Sequence, residues 1–290
     1  MEASTPTRTG FTSIESQQRH DRAYQRALNA LMPKGFAPSD LSTSAGTVRY
    51  YEGPAGGNPT RRVRRTVVLL GGVASPAFSW FRVIPALALE HRVIVIDTLG
   101  EAGASRPHPG HQGSLWLDAV LRQLNPAPRR FHLLASGSAA STAVTFAHRN
   151  PGVRRLTLVE PWFADSHPRL LTLRQWGHAV RTLLRELLPG TGHHSSEPAV
   201  LAGYRRAAIG FRRADAGSSL TVAELTTLSM PVRVLLAADA GPMPRARGRA
   251  DWLEQAERAA PQAQWELIPH VGKDLAQEAP NVLTAAVLRG

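Results

Sequence analysis

Short runs of Val, Ile and Leu recur along this chain with helix-length amphipathic segments between them. That alternation restricts the fold more than any other property of the sequence. Residues 48–51, 66–70, 92–97, 131–135, 156–160, 232–237 and 264–268 read as strands, and several are apolar at nearly every position. A strand covered on both faces needs that pattern. Residues 14–31, 76–90, 114–124, 138–150, 244–260 and 280–289 read as helices, with apolar residues at three- and four-residue spacing or, in 138–150, an abundance of small ones. Strands alternating with helices predict an α/β fold, a mostly parallel, doubly wound sheet with helices on both faces.

Between Pro161 and Thr226 the alternation stops, and no strand pattern is visible there. Residues 170–188 and 199–211 read as helices joined by the loop 189–196, which is rich in Gly, Ser and His. Ligands of open α/β sheets bind outside the carboxyl ends of the strands. A helical insertion between two late strands is expected to cover that crevice. The expected organisation is residues 1–160 as an N-terminal helix and the first part of the core, 161–226 as a helical lid insertion, and 227–290 as the last part of the core.

Composition removes several classes of function. The 290 residues suit one large domain and include no cysteine, which excludes disulfides, zinc knuckles and a thiol nucleophile. No apolar run approaches the ~20 residues of a membrane span, and residues 1–10 lack the apolar core of a signal peptide. A cytoplasmic protein with no membrane contact is expected. The formal charge is +12; all but two of the cations are arginines, some of them in scattered pairs. Nucleic-acid binding calls for a basic stripe with interleaved aromatics, so no nucleic acid is expected. An acidic partner, such as a carrier protein, or an anionic small molecule fits better. Adjacent His193 and His194 do not converge on one ion, and Gly71-Gly72 lacks the Walker spacing. No metal or other cofactor is expected.

Gly71-Gly72-Val73-Ala74 follows the second strand. Ser79-Trp80, Pro85-Ala86-Leu87, Asp97-Thr98-Leu99-Gly100-Glu101-Ala102-Gly103 and Trp116-Leu117-Asp118 come after it. Then follow Leu133-Leu134-Ala135-Ser136-Gly137-Ser138-Ala139-Ala140 and Leu158-Val159-Glu160-Pro161. This order resembles the α/β-hydrolase fold superfamily, especially its actinobacterial α/β-hydrolase-like proteins, over nearly the whole chain. The resemblance implies an α/β-hydrolase fold with a helical lid. It also implies a Ser–His–Asp triad whose serine sits on the strand-to-helix turn of G-x-S-x-G. Matched residue by residue, Gly137 stands at the nucleophile position, Ala240 at the acid and Lys273 at the histidine. Glycine adopts the strained backbone of that turn without steric cost. Acyl-serine hydrolysis is therefore expected to be lost.

Other groups could still carry chemistry. The resemblance implies an oxyanion hole from the backbone N–H groups of Val73 and Ser138, beside Gly72. Glu160 reads either as a buried base or as a structural carboxylate. Lys273 reads as an acid/base or anion-binding group, or as a solvated loop lysine. His270, Asp239 and the Ser138 hydroxyl together offer a rearranged triad. Trp162 and Trp176 fall where they would line a pocket. The leading expectation is a non-hydrolytic enzyme performing proton transfer, elimination, cyclisation or rearrangement on a hydrophobic biosynthetic small molecule. The alternatives are a catalytically inactive pseudo-hydrolase that binds a ligand or partner, and an esterase or lactonase using Ser138, His270 and Asp239.

Overall fold

Strand order in the computed structural model follows from which residues are apolar on both faces. The structure describes residues 10–11, 13–53, 65–109, 115–124, 131–164, 197–212, 220–238, 246–272 and 274–288. Its strands are β1 (Gly10–Phe11), β2 (Ala37–Thr43), β3 (Gly46–Gly53), β4 (Thr66–Leu70), β5 (Arg92–Ile96), β6 (Arg106–Pro107), β7 (Phe131–Ser136), β8 (Val153–Val159), β9 (Phe211–Arg212), β10 (Val232–Ala237) and β11 (Ala263–Ile268). The main sheet runs β11-β10-β8-β7-β4-β5-β3-β2. From β11 to β5 every pairing is parallel, and β3 and β2 add antiparallel at one edge. The expected parallel, doubly wound sheet is present.

Alternate residues of the central strands feed two cores, as the two-residue period of a strand requires. Val68, Leu70, Leu133, Ala135, Leu156 and Leu158 face helices α3 (Trp116–Leu124) and α4 (Ala139–Arg149). Val67, Leu69, Val93, Val95, Leu134 and Val159 face α1 (Ile14–Leu31), α2 (Ile84–Ala88) and the C-terminal helices. Helix α1 begins where the Ser13 hydroxyl accepts the Ser16 N–H at 3.1 Å. It stops before Pro33, which cannot continue a helix. The remaining helices are α5 (Ala199–Ala208), α6 (Val222–Leu225), α7 (Ala246–Ala259), α8 (Leu275–Glu278) and α9 (Pro280–Leu288).

Three expectations need correction. Residues 76–90 do not form one helix. A 3₁₀ turn (Ala77–Trp80) is followed by the short α2, because Pro85 is compatible only with a first helical turn. Strand β2 went unread because it is a polar, exposed edge strand, and edges are kept polar to avoid pairing with other chains. The 161–226 stretch is also not free of β structure. Phe211 of β9 pairs antiparallel with Phe11 of β1, and Phe163 bridges Leu220.

Helix α5, from the second half of that stretch, packs against α1. Tyr204 meets Phe78 edge-on at 5.1 Å, and its ring lies 5.5 Å from that of His20. Phe11 meets Phe211 edge-on at 5.2 Å. Residues 170–188, expected as a lid helix, and the loop 189–196 lie outside the described residues. No helix among the described residues is long and apolar enough to cross a membrane.

Candidate active site

Loops from the carboxyl ends of β4, β5, β7, β8 and β11 hold the candidate groups. The residues with positive φ other than glycine among those described are Ala74 (51°), Glu160 (47°) and His270 (58°), one in each of the loops after β4, β8 and β11. Such conformations cost free energy and persist where the surrounding structure enforces them, commonly at functional sites.

Gly137 forms the turn from β7 into α4 with φ 55°. Its N–H donates to the Val159 carbonyl at 3.0 Å, and its own carbonyl accepts the Trp162 N–H at 3.4 Å. A Cβ built on Gly137 would meet nothing nearer than the Trp162 indole nitrogen at 3.7 Å. The space is open, and it is the left-handed backbone that favours glycine. Gly72 differs. A Cβ there would lie 2.7 Å from both the Ser136 carbonyl oxygen and the Ser138 nitrogen. The loop after β4 thus lies directly against the turn, and only glycine permits that approach.

Ser138 precedes the first turn of α4 with helical backbone angles, but its side chain does not cap the helix. Its hydroxyl donates to Glu101 Oε1 at 2.8 Å and accepts the Val73 N–H at 3.1 Å. The Val73 N–H, expected as a bare oxyanion donor, is therefore engaged by the serine hydroxyl. Ser138 commits its proton to a carboxylate rather than to His270, which is exposed on the turn after β11.

Glu101 was not singled out from the sequence. The available signal was one carboxylate set among small residues, Gly100-Glu101-Ala102-Gly103, directly after a buried strand. The residue is 7% exposed, and its loop is pinned on several sides. Asp97, fully buried at the loop's start, accepts the Tyr24 hydroxyl at 2.6 Å and the N–H groups of Ala77 and Ala104 at 2.7 Å each. Burial pushes the Asp97 carboxyl above its usual range, against these donors, which favour the ionised form. Burial also raises the Tyr24 phenol, with the Asp97 charge adding, and lifts Tyr51 to about 12. The Thr98 hydroxyl donates to the Gly71 carbonyl at 2.7 Å, joining this loop to the one after β4. The Ala102 carbonyl accepts both His20 Nε2–H, at 3.0 Å, and the Tyr204 hydroxyl.

The other candidates are placed as follows. Glu160 accepts the Ala237 N–H through its carboxylate and donates its own N–H to the Leu235 carbonyl at 2.9 Å, joining the ends of β8 and β10. An unpaired buried N–H costs about 1–3 kcal/mol. Glu160→Ala should therefore lower the unfolding free energy by that amount in urea titration, and Glu160→Gln, which retains an acceptor, should lower it by less. Glu278 accepts the N–H groups of Gly272 at 2.7 Å and Asp274 at 3.3 Å, holding the loop after β11. Asp274 in turn pairs with Arg205 of α5. Trp162 is 50% and Val73 44% exposed, so both present apolar surface beside the turn. Asp239, Ala240, Lys273 and Trp176 lie outside the described residues. No group of three or more His, Asp or Glu side chains among the described residues is arranged to hold a metal.

No protein-family model matches the sequence, and no curated protein matches it. Solved structures do match over nearly the full chain. The carboxylesterase CesB of Bacillus subtilis superimposes with a TM-score of 0.74 at 19% identity, covering 95% of this chain and 98% of its own. The naproxen esterase of the same organism gives 0.75 at 17% identity, covering 96% and 98%. A thioesterase domain from the curacin biosynthetic pathway gives 0.61 at 17% identity, covering 88% and 99%. With its strand order, its turn at Gly137 and these superpositions, the chain has the α/β-hydrolase fold.

Proposed function

We propose that this chain is a non-hydrolytic enzyme that transfers a proton on a hydrophobic small molecule bound at the carboxyl ends of β4, β5 and β7. One observation carries the reading. The strand-to-helix turn on which this fold ordinarily presents its nucleophile has glycine at its apex, with φ 55° and no side chain to attack. The hydroxyl of the residue after it, Ser138, is bonded to a carboxylate and to a backbone N–H, not to an imidazole. Exposed Trp162 and Val73 beside the turn offer apolar surface to a ligand.

The structural neighbours named above are esterases and a thioesterase, which keeps ester cleavage by Ser138 as a second reading. The two readings diverge under a fluorophosphonate probe and a short-chain chromogenic ester. The proton-transfer reading expects no labelling and no turnover, in the wild type and in Gly137→Ser alike. Ester turnover abolished by Ser138→Ala would overturn it.

A further inference from the structure

We infer that Ser138 and Glu101 form a two-residue proton relay and that the molecule it acts on is an apolar ketone with a hydrogen on the carbon beside the carbonyl. The inference rests on the non-hydrolytic reading above. Its starting point is the bonding capacity of one hydroxyl, which has one proton to donate and two lone pairs to accept. The Ser138 proton goes to Glu101 Oε1 at 2.8 Å, and one lone pair receives the Val73 N–H at 3.1 Å. The second lone pair receives no bond from a described residue. A serine placed at the start of a helix ordinarily spends its hydroxyl on capping. This one does not, so the bond to Glu101 is made in place of a helix cap.

Rigid support of Glu101 agrees with a relay. The loop that carries it is fixed at Asp97 and Ala102 by bonds from α1 and α5, at Thr98 by its bond to the loop after β4, and internally by the Ser105 hydroxyl on the Asp97 carbonyl. Sites that work on one proton need groups held to within about half an ångström. Beside Ser138, the Trp162 indole lies 3.7 Å from where a Gly137 Cβ would sit, and its N–H makes no hydrogen bond to another described residue. A donor of that kind suits a carbonyl oxygen as it gains charge. The exposed apolar faces of Trp162 and Val73 select an apolar substituent on the ketone.

The step balances without a co-reactant. Ser138 Oγ accepts the proton from the α-carbon as its own proton passes to the Glu101 carboxylate. The C–H electron pair becomes the C=C bond, and the C=O π pair moves onto oxygen. The products are an enolate, a neutral Glu101 and a restored Ser138 hydroxyl. The reverse transfer returns a proton to carbon. Ser138 is thus the catalytic residue and Glu101 a positioning and proton-accepting residue acting through it.

Phenylacetone in D₂O tests the relay with the full chain. Exchange of its benzylic protons is followed by proton NMR. The wild type should accelerate exchange over buffer. Glu101→Gln keeps an acceptor oxygen for Ser138 but cannot take a proton, and it should lower the enzymic rate roughly 100-fold or more. Its melting temperature should not change, whereas a merely structural Glu101 would leave exchange intact in that variant. Ser138→Ala should show the same loss. Wild-type exchange no faster than buffer, or equal to that of Glu101→Gln, overturns the relay. Fluorophosphonate labelling of Ser138 would instead overturn the non-hydrolytic reading beneath it, so the two failures are distinguishable.

Discussion

Gly72→Ala should cost about 3 kcal/mol of folding stability, at the upper end of what overpacking costs. The added methyl would meet backbone atoms of Ser136 and Ser138 at 2.7 Å, and neither can rotate aside as a side chain can. The β4 loop would have to retreat, and with it the Val73 N–H that Ser138 accepts. Gly137→Ala is the informative contrast. Its Cβ finds room, 3.7 Å from Trp162, so the cost is only that of a left-handed alanine, about 1–2 kcal/mol. Urea unfolding of both variants tests the difference. Equal losses would show that the β4 loop does not press on the turn. The larger loss at Gly72 would mark the approach of the β4 loop to the turn as tightly packed.

Lowering the pH from 7 to 5 should remove about 2 kcal/mol through one buried histidine. His132 on β7 is 2% exposed, with Nε2 2.8 Å from the Thr157 hydroxyl. Burial pushes its imidazole from 6.5 down to about 3, and the charges of Arg155 and Arg65 push the same way. The folded chain therefore refuses a proton that the unfolded chain binds below 6.5. The stabilisation is complete above 6.5 and is lost as the pH falls toward 3. At pH 5 the unfolded histidine lies about 1.5 pH units below its midpoint, which at 1.36 kcal/mol per unit gives the figure stated. His132→Gln retains a partner for Thr157 and does not titrate, so its stability should fall less over the same interval. An identical pH slope in wild type and His132→Gln would show that the ring is protonated in the folded state.

Much of the fold was legible because it rests on local, repeated causes. Val67–Leu70 and Val93–Ile96 are apolar at every position and lie between two helical layers, so their pattern could mean little else. Helix α1 was legible over 14–31 from its apolar spacing, and the structure gives it the same bounds. The edge strand β2 was not legible, because a solvated strand lacks the hydrophobic period that betrays one. Residues 76–90 misled for a different reason: their apolar spacing satisfies a 3₁₀ turn plus a short helix as well as one long helix. At the site, the turn at Gly137 could be placed from the strand before it and the small residues after it. Glu101 could not, since its significance arises from meeting Ser138 across 37 residues of chain, once the loops after β5 and β7 have been brought side by side. The engagement of the Val73 N–H by Ser138 was hidden for the same reason, because a sequence shows donors but not what occupies them.

The shared grip on the Ala102 carbonyl constrains how this scaffold can be altered. His20 and Tyr204 reach that single peptide oxygen from segments 82 residues before it and 102 residues after it. Neither the leading helix nor α5 can be exchanged for a foreign counterpart without disturbing the seat of the neighbouring acidic side chain. A chimera intended to keep the chemistry while changing selectivity must transplant the two helices as a matched pair.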